Sequence, residues 1–273
     1  MKNLVTLFCL GAALVGHSQA PRLEKVWETD SVVAIPESVL ADARTGRLYI
    51  SLIDGAPWGK DGKGGIAVIN PDGKSYDSTW LTGLNAPKGM GIFKNKLYVA
   101  DMNEVVVIDV PTHKIEKRIV IDSATWLNDI TVSDKGVVYV SDSKTGKVWQ
   151  VVKNKATLYL QDLKGINGLK AVKDGLVIAS GTALVKADSR KKITAIATLP
   201  QGGDGIEPVG NGDLLVTSWS GYIYYVTAKG VVTTLLDTQA KKINAADIGY
   251  DPVKKMVYVP TFFAKTIVAY QLK

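Results

Sequence analysis

The stretch Arg47-Leu-Tyr-Ile-Ser51 is the first copy of a phrase that occurs six times along the 273-residue chain. Each copy is a short run of β-branched, aromatic and other apolar residues, which is the pattern of a buried strand. The other five copies are Lys96-Leu-Tyr-Val-Ala100, Val137-Val-Tyr-Val-Ser141, Leu176-Val-Ile-Ala-Ser180, Leu214-Leu-Val-Thr-Ser218 and Met256-Val-Tyr-Val-Pro260. A phrase that returns about every forty residues predicts a repeat architecture.

Further strands surround each copy of the phrase. Most copies follow a tight turn rich in Asp and Gly, as in Asp42-Ala-Arg-Thr-Gly46, so a first strand precedes each of them. Third strands are predicted at 65–70, 104–110, 147–153, 182–187, 222–227 and 265–272, and fourth strands at 75–82, 114–121, 157–163, 193–199 and 231–238. The sixth copy has no fourth strand, because the chain ends after the third.

An unassigned strand-like segment, Leu23 to Asp30, precedes the first repeat and supplies the missing strand. Paired antiparallel with Lys265 to Leu272, it would close a ring of six four-stranded units. We therefore predict an all-β, six-bladed β-propeller, a single domain over residues 21–273, whose last blade is closed by the N-terminal strand. A two-sheet sandwich is the alternative, but it gives no reason for six matching phrases.

The first twenty residues have the pattern of a Sec-type signal peptide. Lys2 precedes an apolar run from Leu4 to Val15, and Ser18-Gln19-Ala20 offers a cleavage site after Ala20. The sequence thus predicts a periplasmic or secreted protein. No other apolar run approaches membrane-spanning length, so we expect no membrane insertion.

Loss of that segment restricts the chemistry that remains. Lys2, Cys9 and His17 lie in it, so the mature chain keeps His113 as its one histidine and has no cysteine, and the formal charge falls from +7 to +6. Disulfides, thiolate nucleophiles and sites with two histidines are excluded. The lysines are spread out, which argues against nucleic-acid binding. The arginines do not form the cluster with which a sialidase binds a carboxylate, which argues against that function.

One residue per blade is expected just before the first strand, pointing toward the mouth of the central channel. These residues are Glu37, Lys88, Asn128, Asn167, Asp204 and Ala246, the last followed by Asp247. Asn and Asp are also ordinary turn residues, which is the simpler interpretation of each one alone. As a set, the carboxylates of Glu37 and Asp204 and the amides of Asn128 and Asn167 are hard ligands for a divalent cation. Calcium is the favoured cation.

These phrases resemble those of the regucalcin (senescence marker protein) and gluconolactonase family of six-bladed propellers. The resemblance covers the whole mature chain. Four motifs carry it: the Glu37 phrase with Asp42-Ala-Arg-Thr-Gly-Arg-Leu-Tyr49, the phrase Asn128-Asp129, Asn167-Gly-Leu169 and Asp204-Gly-Ile206. An arginine that often contacts sugar acids in the family has no counterpart here, where Lys88 stands.

The resemblance implies a catalytic cation (Ca²⁺, with Mg²⁺, Mn²⁺ or Zn²⁺ as alternatives). Its ligands would be Glu37, Asn167 and Asp204, with Asn128 on the metal or the substrate. It also implies Asp204 as the catalytic base or nucleophile. The substrate-binding candidates are Lys88, Trp58, Trp126, Trp219 and Asp247.

Two functions follow from these expectations. The first is a secreted metal-dependent hydrolase of a lactone or related ester, a monomer whose partner is a small-molecule substrate. The second is a non-catalytic, calcium-stabilised propeller that binds a small ligand or a protein. The Gly-rich insertion at 54–65 would lie on the metal face, either as a lid or as a merely mobile loop. His113 is expected on an outer strand, far from the channel.

Overall fold

The computed structural model describes residues 20–273. The predicted signal peptide at residues 1–20 therefore lies outside the described residues, except for Ala20. Strand β1 (Leu23–Glu28) comes first, and twenty-three further strands follow it. No helix within residues 20–273 is long and apolar enough to span a lipid bilayer.

The strands form six antiparallel four-stranded sheets, the blades of a six-bladed β-propeller. Blade 1 comprises β2 (Pro36–Asp42), β3 (Arg47–Leu52), β4 (Gly64–Ile69) and β5 (Asp77–Leu84). Blade 2 comprises β6 (Pro87–Phe93), β7 (Lys96–Asp101), β8 (Glu104–Asp109) and β9 (Lys114–Val120). Blade 3 comprises β10 (Leu127–Val132), β11 (Val138–Asp142), β12 (Lys147–Val152) and β13 (Lys155–Leu160).

The other three blades repeat this pattern. Blade 4 comprises β14 (Ile166–Val172), β15 (Gly175–Ser180), β16 (Ala183–Asp188) and β17 (Ile193–Thr198). Blade 5 comprises β18 (Ile206–Gly210), β19 (Asp213–Ser218), β20 (Tyr222–Val226) and β21 (Val232–Asp237). Blade 6 comprises β22 (Gly249–Asp251), β23 (Met256–Pro260), β24 (Ile267–Leu272) and β1. Single-turn 3₁₀ helices lie at Gln239–Lys241 and Phe262–Ala264.

The N-terminal strand closes the ring, as the sequence predicts. Strand β1 pairs antiparallel with β24, with Leu23 opposite Leu272 and Glu28 opposite Val268. The third strand of blade 6 begins at Ile267 rather than at the predicted Lys265, because the preceding 3₁₀ helix ends in a left-handed residue at Lys265. The six-bladed fold and its closure are thus confirmed.

The core lies between neighbouring blades. Tyr49 and Ile66 of blade 1, for example, pack in one buried cluster with Met90 and Leu97 of blade 2. The repeated phrase supplies the second strand of every blade, and that strand is mostly buried, as in β3 and β23. Each phrase is therefore apolar because its strand is covered by sheets on both faces.

Candidate functional site

A bulge turns one side chain toward the mouth of the channel in four of the six inner strands. In β2, Pro36 lies opposite Leu52 but Val39 lies opposite Ile50, so Glu37 and Ser38 share one partner position. Strands β6, β10 and β14 have the same shift in register. Glu37, Lys88, Asn128 and Asn167 thus lie within their strands, not before them as we expected. β-Bulges commonly redirect a side chain in this way.

Hydroxyl groups on the second strands satisfy the backbone at these irregular positions. The amide of Ser38 donates to Ser51 Oγ at 2.9 Å, and the amide of Asp129 donates to Ser141 Oγ at 2.9 Å. In blade 5 the amide of Gly205 donates to Thr217 Oγ1 at 2.8 Å. The small polar residues near the ends of the repeated phrases therefore help to fix the neighbouring site residues.

The redirected side chains form the floor of a pocket. This pocket has a volume of about 410 Å³ and lies on the face reached by the connections between second and third strands. Its polar lining residues are Glu37, Lys88, Asn128, Asn167 and Asp204, and its apolar lining residues are Pro57, Trp58, Trp219, Phe262 and Phe263. The five polar candidates from five different blades are therefore brought together.

Two oxygen atoms on this floor lack a hydrogen-bond partner. They are Glu37 Oε2 and Asn167 Oδ1, and both are buried. Asn128 Nδ2 donates to Ser143 Oγ at 3.0 Å, which leaves its amide oxygen for another partner. The Asn167 side chain lies near Asp204 and counteracts the rise in the pKa of that carboxyl. A buried polar atom without a partner is costly, so these oxygens fit the donor set of a cation.

The electrostatics of the floor also favour a positive charge. Burial raises the pKa of Glu37 well above its usual range; Lys88 opposes that shift, and the Asp204 carboxylate adds to it. Burial, with the Asp247 charge, raises the pKa of Asp204 to about 8. Burial lowers the pKa of Lys88, although the nearby carboxylates counteract it. Two ionised carboxylates are therefore disfavoured here unless additional positive charge compensates them.

Within residues 20–273, no three His, Cys, Asp or Glu side chains come together as a metal-binding group. A cation on this floor would therefore depend on the amide oxygens of Asn128 and Asn167 as well as on the two carboxylates. Such a donor set, made of oxygen alone, suits a hard cation better than zinc.

Lys88 connects the floor to the insertion in blade 1. Only 2% of Lys88 is exposed. Its Nζ atom donates to the carbonyl oxygen of Pro57 at 2.8 Å and lies 4.1 Å from the centre of the Trp58 ring. Trp58 in turn stacks on Trp126, with ring centres 4.7 Å apart. The insertion at 54–65 is thus docked on the pocket in this structure.

Trp126 lies beside the pocket rather than in its lining. Its backbone N–H donates to Asp142 Oδ1 at 3.3 Å, and Lys144 Nζ lies 4.6 Å from the centre of its ring. Trp126 supports Trp58 from outside. Trp219, the other predicted tryptophan, lines the pocket directly.

Asp247 lies deeper than the predicted substrate position. Ala246 takes the equivalent place in blade 6, whereas Asp247 lines a small interior space of about 20 Å³ below the pocket. There it accepts a hydrogen bond from Ser38 Oγ at 2.5 Å. A Cβ atom on Gly205 would come within 2.5 Å of its carboxylate, so glycine is required beside it.

Three charged residues below the pocket were not predicted as site residues, although Asp129 belongs to one of the quoted motifs. Asp129 accepts a hydrogen bond from the Leu169 amide at 2.5 Å, and Lys170 and Glu207 form an ion pair at 2.7 Å. Lys170 and Glu207 each follow a floor residue by three positions, which is the one signal that points to them. The Asp129 carboxylate joins blades 3 and 4, and the ion pair joins blades 4 and 5.

We expect the ion pair to stabilise the lower channel. Lys170→Met would leave the Glu207 carboxylate without its partner. Breaking a fully buried pair costs about 3–5 kcal/mol. The Lys170 and Glu207 side chains are 26% and 14% exposed. We therefore expect the free energy of unfolding to fall by about 2 kcal/mol. Urea denaturation at neutral pH measures this free energy.

The double variant Lys170→Met/Glu207→Leu is the control and should recover at least half of the loss. A single variant as stable as the wild type would contradict the prediction.

His113 lies in the turn between β8 and β9, at the outside of blade 2. Its ring centre is 4.9 Å from that of Trp80, and it does not line the pocket. The one histidine among the described residues is therefore remote from the floor, as expected.

Comparisons with known proteins agree on the fold. No protein-family model and no curated protein matches this chain. A catalytically inactive histidine-to-alanine variant of virginiamycin B lyase from Staphylococcus aureus, solved with quinupristin, matches with a TM-score of 0.66 and 16% identity over 93% of this chain and all of that one. A streptogramin B lyase matches with a TM-score of 0.67 and 11% identity over 93% and 98% of the two chains.

A third solved structure, provisionally named a gluconolactonase, matches with a TM-score of 0.69 and 11% identity over 94% of this chain and 93% of that chain. The resemblance inferred from the sequence is thus confirmed for the fold. At these identities the likeness establishes the six-bladed propeller alone.

Proposed function

We propose that this protein is a metal-dependent hydrolase of a lactone or related ester. The observation that carries the proposal is the pair of buried oxygens without partners, Glu37 Oε2 and Asn167 Oδ1, beside Asp204 on the floor of one pocket. A structure provisionally named a gluconolactonase shares the fold. We further propose, from the expected signal peptide, that the protein acts in the periplasm or outside the cell. The proposed acting form is a monomer.

The proposed cation ligands are Glu37, Asn167 and Asp204, with Asn128 as a fourth. Calcium suits this set because carboxylate and amide oxygens are its usual ligands. When bound, the cation would act as a Lewis acid that polarises the carbonyl group of the substrate.

The chain itself would supply the base and the orientation of the substrate. Asp204 is buried on the floor, where its carboxylate can take a proton from an attacking water or attack the carbonyl carbon itself. Lys88 donates one N–H to the Pro57 carbonyl oxygen, and its other two N–H groups are available to the substrate. Trp58 and Phe262 line the pocket, and their apolar surface would limit the access of bulk water to the reacting groups.

The histidine-dependent chemistry of the virginiamycin B lyase does not fit this pocket. That protein is inactive when one histidine is replaced by alanine. The pocket here is lined by carboxylate, amide, lysine and aromatic side chains, and His113 lies elsewhere. Hydrolysis on carboxylates is therefore favoured over that lyase activity.

A screen of purified protein against lactones and aryl esters, with added Ca²⁺ and with chelator, tests the proposal. We expect turnover that depends on the cation. If the cation binds but none of these substrates is hydrolysed, the protein is a cation-stabilised binding module instead.

We expect one cation per chain, and we expect it to stabilise the fold. A ligand at 100 times its Kd adds about 2.7 kcal/mol to the free energy of unfolding, which for a domain of this size raises Tm by roughly 5–10 °C. Calorimetric titration with Ca²⁺ gives the stoichiometry. Glu37→Gln should weaken binding at least tenfold, because it removes one charged ligand. The matched control is Glu116→Gln on outer strand β9, which should bind Ca²⁺ as the wild type does.

A further inference from the structure

The pocket has an aromatic rim, which we define as Trp58, Trp219, Phe262 and Phe263. Three of these rings form an edge-to-face cluster: Trp219 lies 5.6 Å from Phe262 and 6.0 Å from Phe263, and the two phenylalanines are 4.7 Å apart. Phe262 and Trp58 belong to one apolar cluster together with Ala246. The rim is therefore continuous from blade 5 through blade 6 to blade 1.

Part of this rim is unusually exposed. Trp219 is 45% exposed and Phe263 is 58% exposed, although both line a concave pocket. Phe262 has a positive φ of 52°, a conformation that a bulky residue rarely adopts. This turn buries the Phe262 ring and leaves the Phe263 ring at the rim. Exposed aromatic side chains at a pocket, next to a strained backbone position, are typical of a ligand-binding surface.

The polar groups of the pocket are confined to its floor, where Glu37, Lys88, Asn128, Asn167 and Asp204 lie, and the rim carries aromatic side chains. On the floor, Lys88 already donates to Pro57 and Asn128 to Ser143. At the equivalent position blade 6 has Ala246, which is fully buried against Phe262, and blade 6 lines the pocket with Phe262 and Phe263 alone. A polyhydroxylated ring placed against the rim would lose hydrogen bonds to water without replacing them.

We infer that the substrate is a lactone or ester with an apolar body, rather than a sugar lactone. Its carbonyl group lies over the polar floor, and its alkyl or aryl body packs against the rim above Ala246. This inference rests on the proposed hydrolase function and adds the substrate class. It assigns Trp219 and Phe263 as specificity-determining residues.

Two δ-lactones of opposite polarity test the inference. We expect kcat/KM for δ-decalactone to exceed that for δ-gluconolactone at least tenfold. Trp219→Ala and Phe263→Ala should each lower kcat/KM for δ-decalactone about tenfold, mainly through KM, because each ring loses apolar contact area with the alkyl chain. Hydrolysis of δ-gluconolactone should change less than twofold.

The control is Val253→Ala, which truncates an 86% exposed apolar side chain in the turn between β22 and β23. It should leave both rates unchanged. Equal or better hydrolysis of δ-gluconolactone by the wild type would overturn the inference, as would equal losses for both substrates in the rim variants.

Failure of the proposed function gives a different result, because then neither lactone is hydrolysed. Calorimetric titration with δ-decalactone decides the substrate class in that case. Binding that weakens about tenfold in Trp219→Ala supports an apolar ligand at the rim. No binding to the wild type overturns the inference.

Discussion

Asp204→Asn should lower lactone turnover by at least about a hundredfold, because general acid–base groups contribute roughly 10² to 10⁴ in rate. The substitution removes the carboxylate but keeps the size and shape of the side chain. Two backbone contacts with Thr217 hold the position: the Asp204 amide donates to the Thr217 carbonyl at 2.7 Å, and the Thr217 amide donates to Gly205 at 3.0 Å. The fold should therefore be unaffected, and cation affinity should only weaken.

Steady-state kinetics at saturating Ca²⁺ separates the role in catalysis from the role in cation binding. We expect kcat to fall in Asp204→Asn and not to recover when more cation is added, whereas Glu37→Gln should recover part of its rate. Asp174→Asn, in the hairpin turn between β14 and β15, is the matched control and should retain full activity. An active wild type whose Asp204→Asn variant is nearly as fast would place the chemistry on another residue, with Asp247 and Lys88 next.

The blades and the floor of the pocket could be predicted from the sequence. Six phrases of the same pattern fix six second strands, and the antiparallel order of each blade then fixes which loops share a face. Glu37, Asn128, Asn167 and Asp204 follow from this, because one position per repeat must converge on the central axis. Convergence is a property of the ring, so it needs no knowledge of side-chain orientation.

The depth at which each site residue lies in the channel could not be predicted from the sequence. Glu37 lies at a bulge within β2, and at the entrance of blade 6 Ala246 is fully buried while Asp247 lines the interior space below the pocket. Turn chemistry alone does not distinguish these positions. The contacts of Lys170 with Glu207 and of Lys88 with the insertion also join separate blades or loops, and no local pattern encodes such pairs.

The closure of the ring is the feature on which stability should depend most. Strand β1 covers the edge of β24, and Trp27 anchors it: its Nε1 atom donates to the Pro71 carbonyl at 2.9 Å, and its ring centre lies 6.0 Å from that of Tyr258. Blade 6 is also joined to blade 1 at the centre, where the Asp247 amide donates to the Glu37 carbonyl at 3.0 Å. Loss of β1 should therefore loosen blade 6 beside the floor.

Deletion of residues 21–30 should lower the free energy of unfolding by about 3 kcal/mol or more, because it uncovers the β24 edge and the half-buried Trp27 contact. For a domain of this size that corresponds to a fall in Tm of roughly 10 °C. Scanning calorimetry on the mature chain measures it. Trp27→Ala should reproduce part of the loss, whereas Val26→Ala, at an exposed neighbouring position, should have little effect. An unchanged Tm in the deletion variant would show that the pairing of β1 with β24 does not hold the ring together.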